Sequence, residues 1–199
     1  MHFLDVYDQH FSKFRGKDVC VVEIGVGHGG SLQMWKDYFG PKSRIYGGDI
    51  HPELAGFRED QIVVFPVDQR DRESLRAFAQ KVGKIDVLID DGSHHSPDQI
   101  NTFEELFPLL SEEAIYACED LQTSYSEAWE GGKNNPNAFV EYLKRMVDYL
   151  NGERTAQDQD YAQKFPEMVR SVNFYCYAVV IEKSPMAHKL FSPIMSGVE

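Results

Sequence analysis

Short apolar runs alternate with segments whose apolar residues recur at helical spacing. The runs Asp18–Ile24, Arg44–Ile50, Ile62–Val67, Ile85–Asp90 and Ala114–Glu119 have the length and the branched character of buried strands. A helix over His2–Phe14 would carry Leu4, Tyr7, Phe11 and Phe14 on one side. A second, Ser31–Phe39, stops at Gly40-Pro41, a C-cap glycine followed by a breaker. A third, Asp71–Val82, aligns Leu75, Phe78, Ala79 and Val82. A fourth opens on Ser96-Pro97-Asp98-Gln99, which reads as an N-cap serine, a proline in the first turn and a glutamine closing a capping box. Strands separated by helices predict a mostly parallel sheet covered on both faces.

After Asp120 the pattern changes. Residues 124–163 are polar, with Gly131-Gly132 and Asn134-Asn135-Pro136-Asn137, and an amphipathic segment covers about Phe139–Leu150. We read 124–170 as an insertion or lid over the strand ends, the alternative being a surface excursion without a role. Ser171–Tyr177 and Ala178–Lys183, rich in Val, Tyr and Phe, suit a closing pair of strands. No repeat divides the chain, so a single domain over residues 1–199 is expected.

Composition narrows the partners. A net charge of −12 disfavours nucleic acid and anionic membrane surfaces, which reward Lys and Arg. Cys20, Cys118 and Cys176 are too few and too scattered for a disulfide framework or a zinc site. With no basic-then-apolar leader and no stretch long enough to span a bilayer, a cytoplasmic protein is expected.

The chemistry begins at Val21-Val22-Glu23-Ile24-Gly25-Val26-Gly27-His28-Gly29-Gly30-Ser31, a strand running into a glycine turn and then a helix. Such a turn brings bare backbone and free helix N–H groups to a nucleotide-type cofactor. NAD and S-adenosylmethionine (SAM) share that feature, and both use an acid at the end of the next strand, here Asp49, for ribose hydroxyls. Glu23 separates them. An acid beside the turn opposes a pyrophosphate and suits a cationic ammonium-sulfonium ligand. Asp68 and Gln69, at the end of a third strand, offer groups for an adenine edge. The ordered acids Glu23, Asp49 and Asp68 favour SAM.

Glu23-Ile24-Gly25-Val26-Gly27, Ser31-Leu32-Gln33-Met34-Trp35, Ile45-Tyr46-Gly47-Gly48-Asp49-Ile50, Asp90-Asp91-Gly92-Ser93-His94 and Glu119-Asp120-Leu121-Gln122-Thr123-Ser124-Tyr125 resemble class I SAM-dependent methyltransferases. More narrowly, they are similar to the macrocin- and mycinamicin-type sugar O-methyltransferases, over about Tyr7–Tyr125 and again at the final strands. The resemblance implies a Rossmann-like α/β fold with a seven-stranded, mostly parallel sheet and an antiparallel last strand. It implies SAM as methyl donor, with Glu23, Gly25, Gly27, Ser31, Asp49, Asp68, Gln69 and Asp90 around it, and a divalent metal, Mg2+ or Mn2+.

Asp91 follows one strand and Glu119-Asp120 ends the next, so their carboxylates should converge where ligands bind in open α/β sheets. Carboxylates packed that closely repel one another unless a hard cation joins them. The resemblance assigns Asp91, Glu119 and Asp120 as metal ligands and His94 as general base; His95 is the neighbour that could point inward instead. His28, in the glycine loop, reads as a loop or cofactor-contact residue and not a base, and His51 has no matching carboxylate constellation. Tyr125, Trp129 and Tyr142 could line an acceptor pocket, but their spacing equally suits packing. The expected reaction is metal-assisted O-methylation of a sugar-bearing or related small molecule, with a homo-oligomer possible. The alternatives are methylation of a catechol or other vicinal diol, and a SAM-binding scaffold without catalysis.

Overall fold

The computed structural model describes residues 3–51, 53–54, 56–150 and 168–184. Its strands are β1 (Cys20–Ile24), β2 (Arg44–Asp49), β3 (Arg58–Glu59), β4 (Ile62–Pro66), β5 (Val87–Asp90), β6 (Ile115–Cys118), β7 (Val169–Tyr175) and β8 (Ala178–Lys183). They form one eight-stranded sheet in the order β3-β4-β2-β1-β5-β6-β8-β7. From β4 to β6 all pairs are parallel, and β8 runs antiparallel between β6 and β7. The seven expected strands are all present, including the antiparallel last one. The eighth, β3, is a two-residue edge strand folded back on β4. It escapes a hydrophobic reading because Arg58 and Glu59 are charged and exposed, as edge strands commonly are.

The helices are α1 (Phe3–Phe11), α2 (Gly30–Phe39), α3 (Arg72–Val82), α4 (Ser96–Leu106) and α5 (Phe139–Leu150). The expected first helix splits into α1 and a 3-10 turn over Ser12–Phe14, and its expected first residue, His2, lies outside the described residues. Side chains alternate along β1. Cys20, Val22 and Ile24 face α3, α4 and α5, whereas Val19 and Val21 join α1 and α2 on the other face. At the centre of that second face Trp35 of α2 meets Tyr7 of α1 edge-on, centroids 5.0 Å apart.

The start of α4 departs from expectation. His95, not Ser96, is the N-cap, and Ser96 lies inside the first turn with its hydroxyl buried and unpartnered. No capping box forms, because Gln99 donates to Cys118 Sγ (3.3 Å) instead of turning back. The loop is held by Ser93, whose Oγ donates to Asp98 (2.6 Å) and accepts from the His95 N–H (3.3 Å). The far end of α4 is tied to the sheet by Lys183, whose buried ammonium donates to the carbonyls of Phe107, Pro108 and Leu110.

Of the segment after Asp120, α5 buries Phe139, Val140, Tyr142, Leu143 and Met146 in the core, and Tyr142 donates to Glu104 of α4 (3.0 Å). Residues 151–167, which complete the expected insertion, lie outside the described residues. No helix among the described residues is long and apolar enough to cross a membrane, and all three cysteines are free.

Candidate active site

The carboxyl edge of the sheet carries a cleft of about 560 Å³ where β1, β2, β4 and β5 end. Its floor is the glycine turn. Gly25 sits at φ +90°, and a Cβ there would overlap the Asp91 carbonyl, so no other residue fits without moving β5. Asp49, at the end of β2, accepts from the Val26 and Gly27 N–H groups (2.8 and 3.2 Å) and from that of His51 (2.9 Å). It therefore fixes the turn as well as lining the cleft, together with Gly25, Gly27 and Ser31.

Two residues expected at the cofactor do not line this cleft. Glu23 is only 1% exposed and meets the cleft through Ser31, whose hydroxyl donates to it (2.8 Å). Burial, only partly offset by that hydrogen bond, pushes its carboxyl up to about 8, with Asp91 adding to the rise. Asp90 is equally buried, accepting from Gln69 (2.8 Å) on one oxygen and from Tyr116 (3.1 Å) on the other. Burial lifts it to about 7 against those hydrogen bonds. Both side chains point into the protein from within strands, Glu23 toward the half-buried Ser31 and Asp90 toward the buried Gln69 and Tyr116.

Asp68 and Gln69 do line the cleft, but each is engaged. Asp68 pairs with Arg70 (2.7 and 2.9 Å), which holds its carboxyl below the usual range. Both amide protons of Gln69 are used, one toward Asp90 and one toward Thr102 Oγ1 (2.9 Å), and its Oε1 accepts from the Ser93 N–H (2.7 Å). Gln69 thus locks the loops after β4 and β5 together, and no amide proton remains for an adenine edge.

The register pairing Asp90 with Cys118 continues through the Glu119 N–H to the Asp90 carbonyl (3.0 Å), so Asp91 and Glu119-Asp120 leave the sheet side by side. Asp120 and His94 then both adopt the left-handed conformation, at φ 54° and 59°. Such backbone costs about 1 kcal/mol or more per residue and concentrates at functional sites. It turns the two side chains toward each other: His94 Nε2 lies 3.6 Å from Asp120 Oδ2 and 4.0 Å from Asp91 Oδ1. One ligand atom from each of Asp91, His94 and Asp120 falls within 4.8 Å of the other two, which a single cation could bridge. Burial first, then Asp120, pushes Asp91 up to about 6. Burial also lowers His94, against the pull of Asp120.

Glu119 falls outside this trio. Its carboxylate accepts the hydroxyl proton of Tyr7 on α1, and burial lifts it to about 7. Of the two adjacent histidines, His94 faces the carboxylates. His95 lines the cleft and contacts Glu130 (3.1 Å), and Trp129 packs beside both rings, centroids 6.0 and 5.0 Å away. Trp129 thereby walls the histidine turn. The site contacts of Tyr7, Gln122 and Glu130 carried no sequence signal, because each acts through a partner distant along the chain or through a loop conformation. Gln122 donates to Asp120 Oδ1 (2.9 Å).

A parallel sheet closed by an antiparallel strand, with a glycine turn after β1 and acids along its carboxyl edge, defines the class I methyltransferase fold. The chain belongs to the methyltransferase-domain family, whose model matches residues 22–121. It is 41% identical over 186 residues to the 8-demethyl-8-alpha-L-rhamnosyl tetracenomycin-C 2'-O-methyltransferase of Streptomyces olivaceus, covering 89% of this chain and 49% of that protein. It is 35% identical over 167 residues to the mycinamicin VI 2''-O-methyltransferase of Micromonospora griseorubida, covering 78% of this chain and 41% of that protein. Among solved structures, MycE, a methyltransferase from the mycinamycin biosynthetic pathway in complex with Mg and SAH, superposes with a TM-score of 0.81 at 31% identity, over 92% of this chain and 49% of that one. The chain thus spans about half the length of the relatives it matches.

Proposed function

We propose that this chain transfers a methyl group from SAM to a hydroxyl of a sugar-bearing small molecule, assisted by a divalent cation. The observation that carries this reading is the placement of Asp91, His94 and Asp120 at the end of the glycine-turn cleft. The donor set fits a hard cation. Two carboxylates face each other with no Lys or Arg paired to either among the described residues, and Asp91 is lifted by burial first and then by the charge of Asp120. Asp91 and Asp120 would hold Mg2+ or Mn2+, with Glu119, steadied by Tyr7, beside them. When bound, the metal would lower the pKa of an acceptor hydroxyl.

Asp49 and the glycine turn hold the donor, and Glu23, lifted to about 8 by burial, favours its positive charge once the carboxyl gives up its proton. His94, kept neutral by burial, accepts the hydroxyl proton at Nε2, and Asp120 stabilises the imidazolium that forms. We assign His94 this role and not that of a ligand, because magnesium selects oxygen over imidazole. The acceptor oxygen forms a bond to the methyl carbon as the sulfur–methyl bond breaks, the electron pair staying on sulfur. Holding both reactants aligned supplies much of the acceleration. The partners proposed are small molecules, not nucleic acid, given the net charge of −12. The free buried thiols Cys20 and Cys118 suit a reducing cytoplasm.

The test is methyl transfer from SAM to a panel of rhamnosylated polyketides, followed by mass spectrometry. Chelation should abolish product and added Mg2+ restore it. His94→Gln should lower the rate by roughly 10²-fold or more with SAM affinity unchanged. Full turnover after chelation, or in the His94→Gln variant, defeats the reading.

A further inference from the structure

Beyond the donor cleft, the carboxyl edge carries a second cleft of about 800 Å³, between α5, the 3-10 turn Leu121–Tyr125 and the β7–β8 turn. We infer that this cleft binds the apolar, flat ring system to which the acceptor's sugar is attached, so that Gln122, lining it, joins it to Asp120 at the reaction centre. The inference rests on the function proposed above and names the part of the substrate that the donor cleft does not hold.

Its position supports this. The donor cleft lies over the ends of β4, β2, β1 and β5; the Asp91–His94–Asp120 group follows at β5 and β6; the second cleft follows at β6 and the β7–β8 turn. Because β7 points the same way as β6, its turn reaches the same edge, where the Leu121 N–H donates to the Tyr177 carbonyl (2.9 Å). An acceptor with its hydroxyl at His94 and its bulk directed away from the donor would run along this edge. Leu121 and Gln122 leave Asp120 directly into the cleft, and the Gln122 amide spans the two by its bond to the Asp120 carboxylate.

The lining selects the chemistry. Tyr125, Phe174, Tyr175 and Tyr177 present aromatic surface, with Val140 and Val147 beside them. Tyr125 and Phe174 remain 53% and 44% exposed, much apolar surface to leave in water. The polar groups here are largely paired within the protein. The Tyr175 hydroxyl is bonded to His10 (2.7 Å), Lys144 to Glu141 (2.7 Å) and Gln122 to Asp120. Few remain for a second carbohydrate, which needs many hydrogen bonds. A fused aromatic system needs few and stacks on aromatic faces. The volume lies within the range of pockets that bury a drug-sized ligand.

The probes are emodin, a sugar-free trihydroxyanthraquinone, and its rhamnoside, titrated by calorimetry into the intact protein with and without SAM. Emodin should bind the wild type in the presence of saturating SAM. Phe174→Asp and Tyr125→Ser should each weaken it by roughly tenfold, with SAM affinity and the thermal shift on adding Mg2+ unchanged. Displacement of emodin by SAM, or equal binding by wild type and both variants, overturns the inference. Emodin bound as expected while no glycoside is methylated sinks the proposed function and leaves the cleft. Methylation of free rhamnose and of the rhamnoside with the same kcat/KM, unaffected by Phe174→Asp, leaves the function and sinks the cleft.

Discussion

Gln69→Leu should be among the most damaging single changes outside the hydrophobic core, although the side chains are close in volume. In the wild type the amide serves two buried partners, the Asp90 carboxylate and the Thr102 hydroxyl, and the half-buried Ser93 N–H. Leucine removes a donor from a fully buried acid and an acceptor from a backbone N–H. Each deserted group costs about 1–3 kcal/mol, and Thr102 and Asp90 retain other possible partners, so the total is about 3–5 kcal/mol. For a domain of this size that corresponds to a fall of roughly 10 °C in Tm. The Ser93 N–H lies next to His94, so the loss should also loosen the histidine turn and weaken SAM binding at the cleft. Urea unfolding followed by circular dichroism measures the first effect and calorimetry with SAM the second. A destabilisation under about 1 kcal/mol would refute the reasoning, because it would mean that water or another side chain replaces all three bonds.

Two further outcomes follow from the same cleft. The Glu23 carboxyl is raised from 4.5 to about 8, so its stabilising, protonated form is complete below about pH 4.5 and is lost as pH rises to about 8. Ligand-free Glu23→Gln should therefore lose less stability than the wild type across that window, by on the order of 3 kcal/mol; identical pH–stability curves would show that the buried acid is not protonated. Gly25→Ala places a methyl in the Asp91 carbonyl at φ +90°, whereas Gly29→Ala, at φ +80°, meets open space. The first should cost about 3 kcal/mol or more with loss of SAM affinity, the second about 1 kcal/mol, both read by urea unfolding. Equal costs would count against the close approach of the turn to β5.

The parallel strands were legible because they are buried on both faces and so read as continuous apolar runs. β3 was not, because Arg58 and Glu59 pair in the sheet through backbone alone. The start of α4 misled for a local reason: Ser96-Pro97-Asp98-Gln99 has capping chemistry, but Ser93 captured Asp98 and Cys118 captured Gln99. At the site, Asp91, His94 and Asp120 were readable because each sits within a few residues of a strand end. The partners that set their environment were not. Tyr7 meets Glu119 across 112 residues, and Gln69 reaches Asp90 across 21, on spacings no local pattern records.

That division also explains where the charge sits. Four acids along the carboxyl edge, Glu23, Asp90, Asp91 and Glu119, are all lifted, burial being the first cause in each. An edge that only needed to be stable would replace them with apolar residues, since buried acids lose stability whenever they ionise. Their value lies in what neutralises them. A cation arriving at this edge meets acids whose deprotonation it favours, so its binding should release protons, and a protein-bound cation and a cationic donor should each bind more tightly as pH rises through the lifted range. Asp90 differs from the rest, because Gln69 and Tyr116 already occupy its oxygens. It holds the loops together, while Asp91 and Asp120 flank the proposed cation site and Glu23 stands behind the proposed donor cleft.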